Sequence, residues 1–174
     1  MRPHQVLHVV RAASAISGQM RWVVVGTQAA ALWPGQCSEL LLQSMELDLY
    51  PADDPSLAEL VDGAIGEEST FHDTFGYYAH GVGPETATLP EDWLSRATTV
   101  LESVTQAQVL VPSPTDVAIS KLCAFREKDL RWVQELLRLR LTTVEAVLQA
   151  LERTTVEKAL REQATRWLAG QRGA

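Results

Sequence analysis

Every segment of this chain with strand character lies before Pro112, and nearly everything after it is patterned for helix. That asymmetry limits the fold more than any other feature, because a sheet can be drawn only from the earlier part. There, RWVVVG at 21–26 is a β-branched run suited to a strand buried on both faces. SMELDLYP at 44–51 alternates instead, with Met45, Leu47 and Leu49 on one face and Glu46 and Asp48 on the other. TFGYYAHGV (74–82), ATTVLESV (97–104) and QVLVP (108–112) read as further strands separated by turns. Helices are expected over about 3–16, ended by Gly18, and from Thr27 through TQAAALW, ended by Pro34 and Gly35. A third is expected over 56–66, with Ser56 as its cap and Gly66 just beyond its end.

Downstream, Ser113 with Pro114 at the first helical position is a helix-start signature, and Asp116 completes a capping box with that serine. Thr142 with Glu145 and Thr154 with Glu157 fit two more capping boxes, and Gly170 closes the last helix. The expected architecture is α+β. It is a single domain over 1–174, with a mixed sheet core flanked by helices at 1–112 and a helical C-terminal subdomain at 113–174.

A net charge of −7 over 174 residues argues against a protein that coats a polyanion by bulk attraction, so any nucleic acid must dock on a local patch. Cys37 and Cys123, the only cysteines, lack the paired spacing of a zinc site or disulfide framework. No run approaches the ~18 apolar residues of a membrane span, so the chain is read as soluble, cytoplasmic and without a membrane partner.

The two carboxylates of the 44–51 strand pose the chemical problem. Side chains two apart on a strand share a face about 6.5–7 Å apart along the backbone, so Glu46 and Asp48 repel unless a cation, water or basic group lies between them. Upstream, a strand that runs into Gly26 and Thr27 and then a helix offers backbone N–H groups and a hydroxyl to phosphate oxygens. If the two strands are neighbours, Glu46 and Asp48 face that turn and hold one or two Mg²⁺ ions that arrive with a nucleotide.

Lys121 to Arg140 carries six basic residues against three acidic ones, either a groove for triphosphate or RNA or a solvated helix face. Asp129 falls inside an apolar stripe of Leu122, Phe125, Trp132, Val133 and Leu136. If one continuous helix runs through here, Lys121 and Arg126 lie near it, so Asp129 either forms an internal ion pair or orients those cations toward a ligand. His72 and His80 show no metal-ligand spacing and are assigned to turns or packing.

Gly26-Thr27 followed by Ser44-Met-Glu46-Leu-Asp48 resembles the signature of the minimal nucleotidyltransferase superfamily. DVAISKLCAFREKDL, from Asp116 to Leu130, is similar to motifs of the abortive-infection type nucleotidyltransferase toxins and of a related uncharacterised bacterial nucleotidyltransferase-like family. STFHDTFGYYAHGV and TATLPEDW look like the latter in particular. The resemblance implies a nucleotidyltransferase-type mixed sheet and Mg²⁺-dependent transfer of a nucleoside monophosphate from a nucleoside triphosphate to an RNA or protein acceptor. It also implies a toxin-like role with an antitoxin partner.

By that resemblance Glu46 and Asp48 are the metal ligands and catalytic carboxylates, and Gly26 and Thr27 contact the triphosphate. Lys121, Arg126 and Lys128 are phosphate contacts, and Lys121 and Asp129 belong with the catalytic set. Glu102 is the candidate for the superfamily's third carboxylate. The alternative is a catalytically degenerate nucleotide-binding or protein-interaction module on the same fold.

Overall fold

The computed structural model describes residues 1–35 and 38–171; Cys37 lies outside them. Five strands form one mixed sheet: β1 (Arg21–Val24), β2 (Glu46–Pro51), β3 (Tyr78–Gly81), β4 (Thr98–Leu101) and β5 (Gln108–Val111), in the order β3-β2-β1-β5-β4. β1 runs antiparallel to β2 and parallel to β5, β2 is parallel to β3, and β4 is antiparallel to β5. The valine run therefore became a central strand, buried as its composition requires.

Helix α1 (Pro3–Ser17) buries Val6, Val9, Val10 and Ala13, and Trp22 Nε1 on β1 donates to Ser14 Oγ of this helix at 2.9 Å. α2 (Ala58–Ile65) lies so close to β3 that a side chain at Gly81 would meet the Ala58 carbonyl. Trp22, Val24, Leu47, Leu49 and Ala79 are fully buried. Each large apolar side chain among them contributes about 1.5–3 kcal/mol.

Several local expectations change. Met45 is 54% exposed and precedes β2, so only Leu47 and Leu49 form its apolar row. The segment after Gly26 is a 3₁₀ stretch, Thr27–Leu32, rather than an α-helix. Asp54, not Ser56, caps the turn that leads into α2, accepting from Ser56 N. A helix absent from the sequence reading, α3 (Thr70–Phe75), occupies the segment before β3, with Ser69 as its cap and Gly76 closing it.

The chain divides into two compact units. Met1–Thr86 with Ala97–Val111 carries the sheet, and Ala87–Arg96 with Pro112–Ala174 is helical. The helical unit holds α4 (Pro114–Ala124), α5 (Glu127–Arg138), α6 (Val144–Glu152) and α7 (Lys158–Ala169). Residues 87–96 join it because Arg96 pairs with the buried Asp116 at 2.7 Å and Glu91 N donates to Arg153 O. Ser113 caps α4, and Asp116, set in that capping box, also accepts from the Ser113 hydroxyl.

The other two capping assignments shift. Thr143 rather than Thr142 caps α6, while Thr142 pairs with the Thr115 hydroxyl. Thr154 donates back to Ala150 O instead of capping α7, whose N-cap is Glu157. No described helix is long and apolar enough to cross a membrane.

Candidate functional site: an acidic cluster beside a glycine turn

Parallel pairing of β2 with β3 sets Glu46 opposite Tyr78, Leu47 opposite Ala79 and Asp48 opposite His80. Because side chains alternate across a sheet, Glu46, Asp48, Tyr78 and His80 share one face, and the buried Leu47, Leu49 and Ala79 take the other. The neighbouring-strand arrangement needed for a joint site is present: Val24 pairs with Leu49, and Val25 N donates to Asp48 O at 3.0 Å.

At the end of β1 the chain turns at Gly26 with φ 69° and ψ −155°, a conformation essentially reserved for glycine. A Cβ at this position would fall on Asp48 Oδ2. The glycine and the carboxylate thus meet. Thr27 opens the following 3₁₀ stretch, whose six residues are too few for the aligned helix dipole expected from the sequence. Half-buried backbone at Gly26, rather than a helix terminus, is what this turn offers an anion. Buried Gln28 ties the stretch to the approach of β2, donating to Ser44 O at 2.7 Å.

Each carboxylate has a partner from β3. Tyr78 OH donates to Glu46 Oε2 at 3.2 Å, and burial, with the Glu46 charge and hydrogen bond and nearby Glu67, pushes the phenol up to about 12. His80 Nδ1 lies 2.7 Å from Asp48 Oδ1. Burial works against the imidazolium, but the hydrogen bond and charge of Asp48, with Glu46 and Asp62, raise the His80 pKa on balance. The cluster therefore sets two carboxylates on one face of the sheet beside a phenol and an imidazole.

One oxygen each from Glu46 and Asp48 and one ring nitrogen of His80 lie within 4.8 Å of one another. Donors around a single divalent ion are spaced roughly 3–4.5 Å apart at the usual bond lengths. The donor set fits such an ion, with its carboxylates suited to Mg²⁺. His80, assigned to packing by its sequence context, is the residue that sequence reasoning missed; only the β2–β3 register brings it to the carboxylates.

Glu102 takes no part in this group. Fully buried, it accepts from Arg11 at 2.7 Å and from Val104 N, Thr105 N and the Thr105 hydroxyl. Burial raises its pKa, but the Arg11 guanidinium and the Thr105 and Val104 donors outweigh that and hold it at about 2. With its folded value below the ordinary 4.5, it adds stability above pH 4.5 that is lost as pH falls toward 2. In urea titrations at stepped pH, wild type is expected to lose its stability advantage over Glu102→Gln across that window. A constant gap would contradict the pairing.

Within the helical unit, Lys121, Arg126 and Asp129 form a cluster of their own. The helix is not continuous: α4 ends at Phe125, whose φ of 51° is left-handed, and Arg126 is the N-cap of α5. This break brings the cations to Asp129 from two helices, Arg126 Nε at 2.6 Å and Lys121 Nζ at 3.3 Å, with Lys121 also 5.7 Å from the Trp132 ring centre. Burial would raise the Asp129 pKa, but the Arg126 hydrogen bond and the Lys121 charge lower it overall. The internal ion pair is present. Lys128 is exposed in the first turn of α5. Asp129→Asn removes the buried charge that Lys121 and Arg126 share and is expected to cost about 3 kcal/mol of unfolding free energy, read from urea denaturation. A loss below about 0.5 kcal/mol would mean the pair is merely a surface contact.

A five-stranded mixed sheet that carries a carboxylate-x-carboxylate strand beside a glycine turn defines a nucleotidyltransferase-type fold with a helical C-terminal part. The chain belongs to the family described as nucleotidyltransferase of unknown function (DUF6036), whose family model matches residues 4–169. No curated protein and no solved structure matches it.

Proposed function

We propose that this protein is a divalent-metal-dependent nucleotidyltransferase that moves a nucleoside monophosphate from a nucleoside triphosphate to an RNA or protein acceptor. The observation that carries this reading is the convergence of Glu46 and Asp48 on one face, against the Gly26 turn. Glu46 and Asp48 would hold Mg²⁺, one ion or two, which when bound supplies charge neutralisation at the transferring phosphoryl group. Gly26 admits phosphate oxygens close to the backbone, and the Thr27 hydroxyl offers a further contact. Tyr78 steadies Glu46 through its hydroxyl, which limits the reorganisation of that carboxylate when the substrate arrives.

Lys121, Arg126 and Lys128 belong to the same reading as contacts for triphosphate or RNA phosphates, supported by the local excess of positive charge. Asp129 would act by orienting Lys121 and Arg126. A nucleoside triphosphate substrate would suit an activity in the cytoplasm, where these nucleotides are abundant. The likeness of residues 116–130 to the abortive-infection toxins extends the reading to a toxin-like role restrained by an antitoxin. Growth arrest on expression, relieved by Asp48→Ala, is the outcome that extension requires; unimpaired growth removes it.

The direct assay offers each of the four α-labelled nucleoside triphosphates with cellular RNA and protein. Label is expected on one acceptor class, abolished by a chelator. A second reading, a degenerate nucleotide-binding or protein-interaction module, rests on the composition of the group, two carboxylates and a histidine among the described residues. Saturable nucleotide binding without label from any triphosphate would select it.

A further inference from the structure

We propose that His80 is the third protein ligand of the divalent ion held by Glu46 and Asp48, and that its imidazole tilts the site toward Mn²⁺ over Mg²⁺. The inference rests on the metal-site reading above and names which ion the site prefers. Three observations support it. The register sets His80 directly opposite Asp48, on the same face as Glu46. Its ring nitrogen and the two carboxylate oxygens already lie within 4.8 Å of one another. The ring is 48% exposed on the edge strand β3, so it is free of core packing and can turn without disturbing the fold.

Among the described residues, the group whose donor atoms converge is Glu46, Asp48 and His80, while nearby Glu67 is set against Tyr78. Glu102 is committed to Arg11 and Thr105, and Asp62 accepts from Gly81 N at 3.0 Å. The 2.7 Å approach of His80 Nδ1 to Asp48 Oδ1 marks where these two ligand atoms converge. Oxygen-only sites suit Mg²⁺, which dehydrates reluctantly. An imidazole nitrogen in the set raises affinity for first-row transition ions far more than for Mg²⁺.

The test uses the full chain with Mn²⁺ alone, without nucleotide. Free Mn²⁺ is followed by electron paramagnetic resonance, ¹⁴N coupling by pulsed measurement of the bound ion, and Mg²⁺ by competition. Wild type is expected to show imidazole ¹⁴N coupling. His80→Ala should lose that coupling and bind Mn²⁺ at least about tenfold more weakly, with Mg²⁺ affinity changed less than about threefold. His80→Asp should reverse the preference toward Mg²⁺.

Equal Mn²⁺ affinity in wild type and His80→Ala, with no imidazole coupling in either, overturns the assignment of His80 while leaving the carboxylates in place. Unaltered Mn²⁺ binding in Glu46→Gln/Asp48→Asn overturns the metal site itself, and with it this inference. Thermal melts of each variant separate loss of a ligand from loss of the fold.

Discussion

With Glu46 and Asp48 replaced together by Gln and Asn, nucleotide transfer falls by about a thousandfold or more, while the thermal midpoint stays level or rises. The two halves of this result come from the same geometry. Without a cation, two carboxylates on adjacent same-face positions of β2 repel, a repulsion that Tyr78 OH and His80 offset in part. The isosteric amides keep the shape of the face and remove that repulsion. Activity lost at no cost in stability is the signature of residues retained for chemistry rather than for folding. A midpoint several degrees lower, with transfer unchanged, would make the pair structural. Transfer of labelled nucleotide and a thermal melt, run on the same preparation, give both numbers.

Gly26→Ala is the second large effect, and it acts on both quantities. The backbone at φ 69° and ψ −155° admits glycine at little cost and costs any other residue about 1–3 kcal/mol. The added methyl also lands on Asp48 Oδ2, so either the turn or the carboxylate must move. An unfolding free energy lower by about 2–3 kcal/mol is expected, with transfer down about a hundredfold because a displaced ligand no longer meets its partners. Gly76→Ala is the control. That glycine also has a positive φ, 74°, as the cap of α3, but a Cβ there meets nothing within 4 Å. It should cost about 1 kcal/mol and leave transfer intact. Equal transfer in the two variants would contradict the close approach of turn and carboxylate.

The chain's pattern exposed those parts of the fold that are set locally. A valine run could only be a central strand, and the alternation of Leu47 and Leu49 with Glu46 and Asp48 put both acids on one face before any pairing was known. The break between α4 and α5 was not legible, because Phe125, and no glycine or proline, takes the left-handed conformation. α3 was hidden by its length of six residues and its aromatic content, although Ser69 and Gly76 mark both ends. Consecutive threonines at 142 and 143 made the cap ambiguous by one residue, and the Thr115 hydroxyl decided it.

His80 was out of reach for a different reason. It lies 32 residues from Asp48 in sequence and joins it only through the parallel β2–β3 register, a non-local pairing that no short window contains. Glu102 misled in the opposite direction. A carboxylate near the end of a strand resembles a ligand until Arg11, from α1, is seen to engage it.

The most direct test of the metal-and-nucleotide site is a calorimetric titration of the protein with each of the four nucleoside triphosphates, with and without a divalent cation. At least one triphosphate is predicted to bind saturably only when the cation is present, with affinity reduced about thirtyfold or more in Glu46→Gln/Asp48→Asn. Binding of the same strength in chelator, or in that variant, would contradict the account.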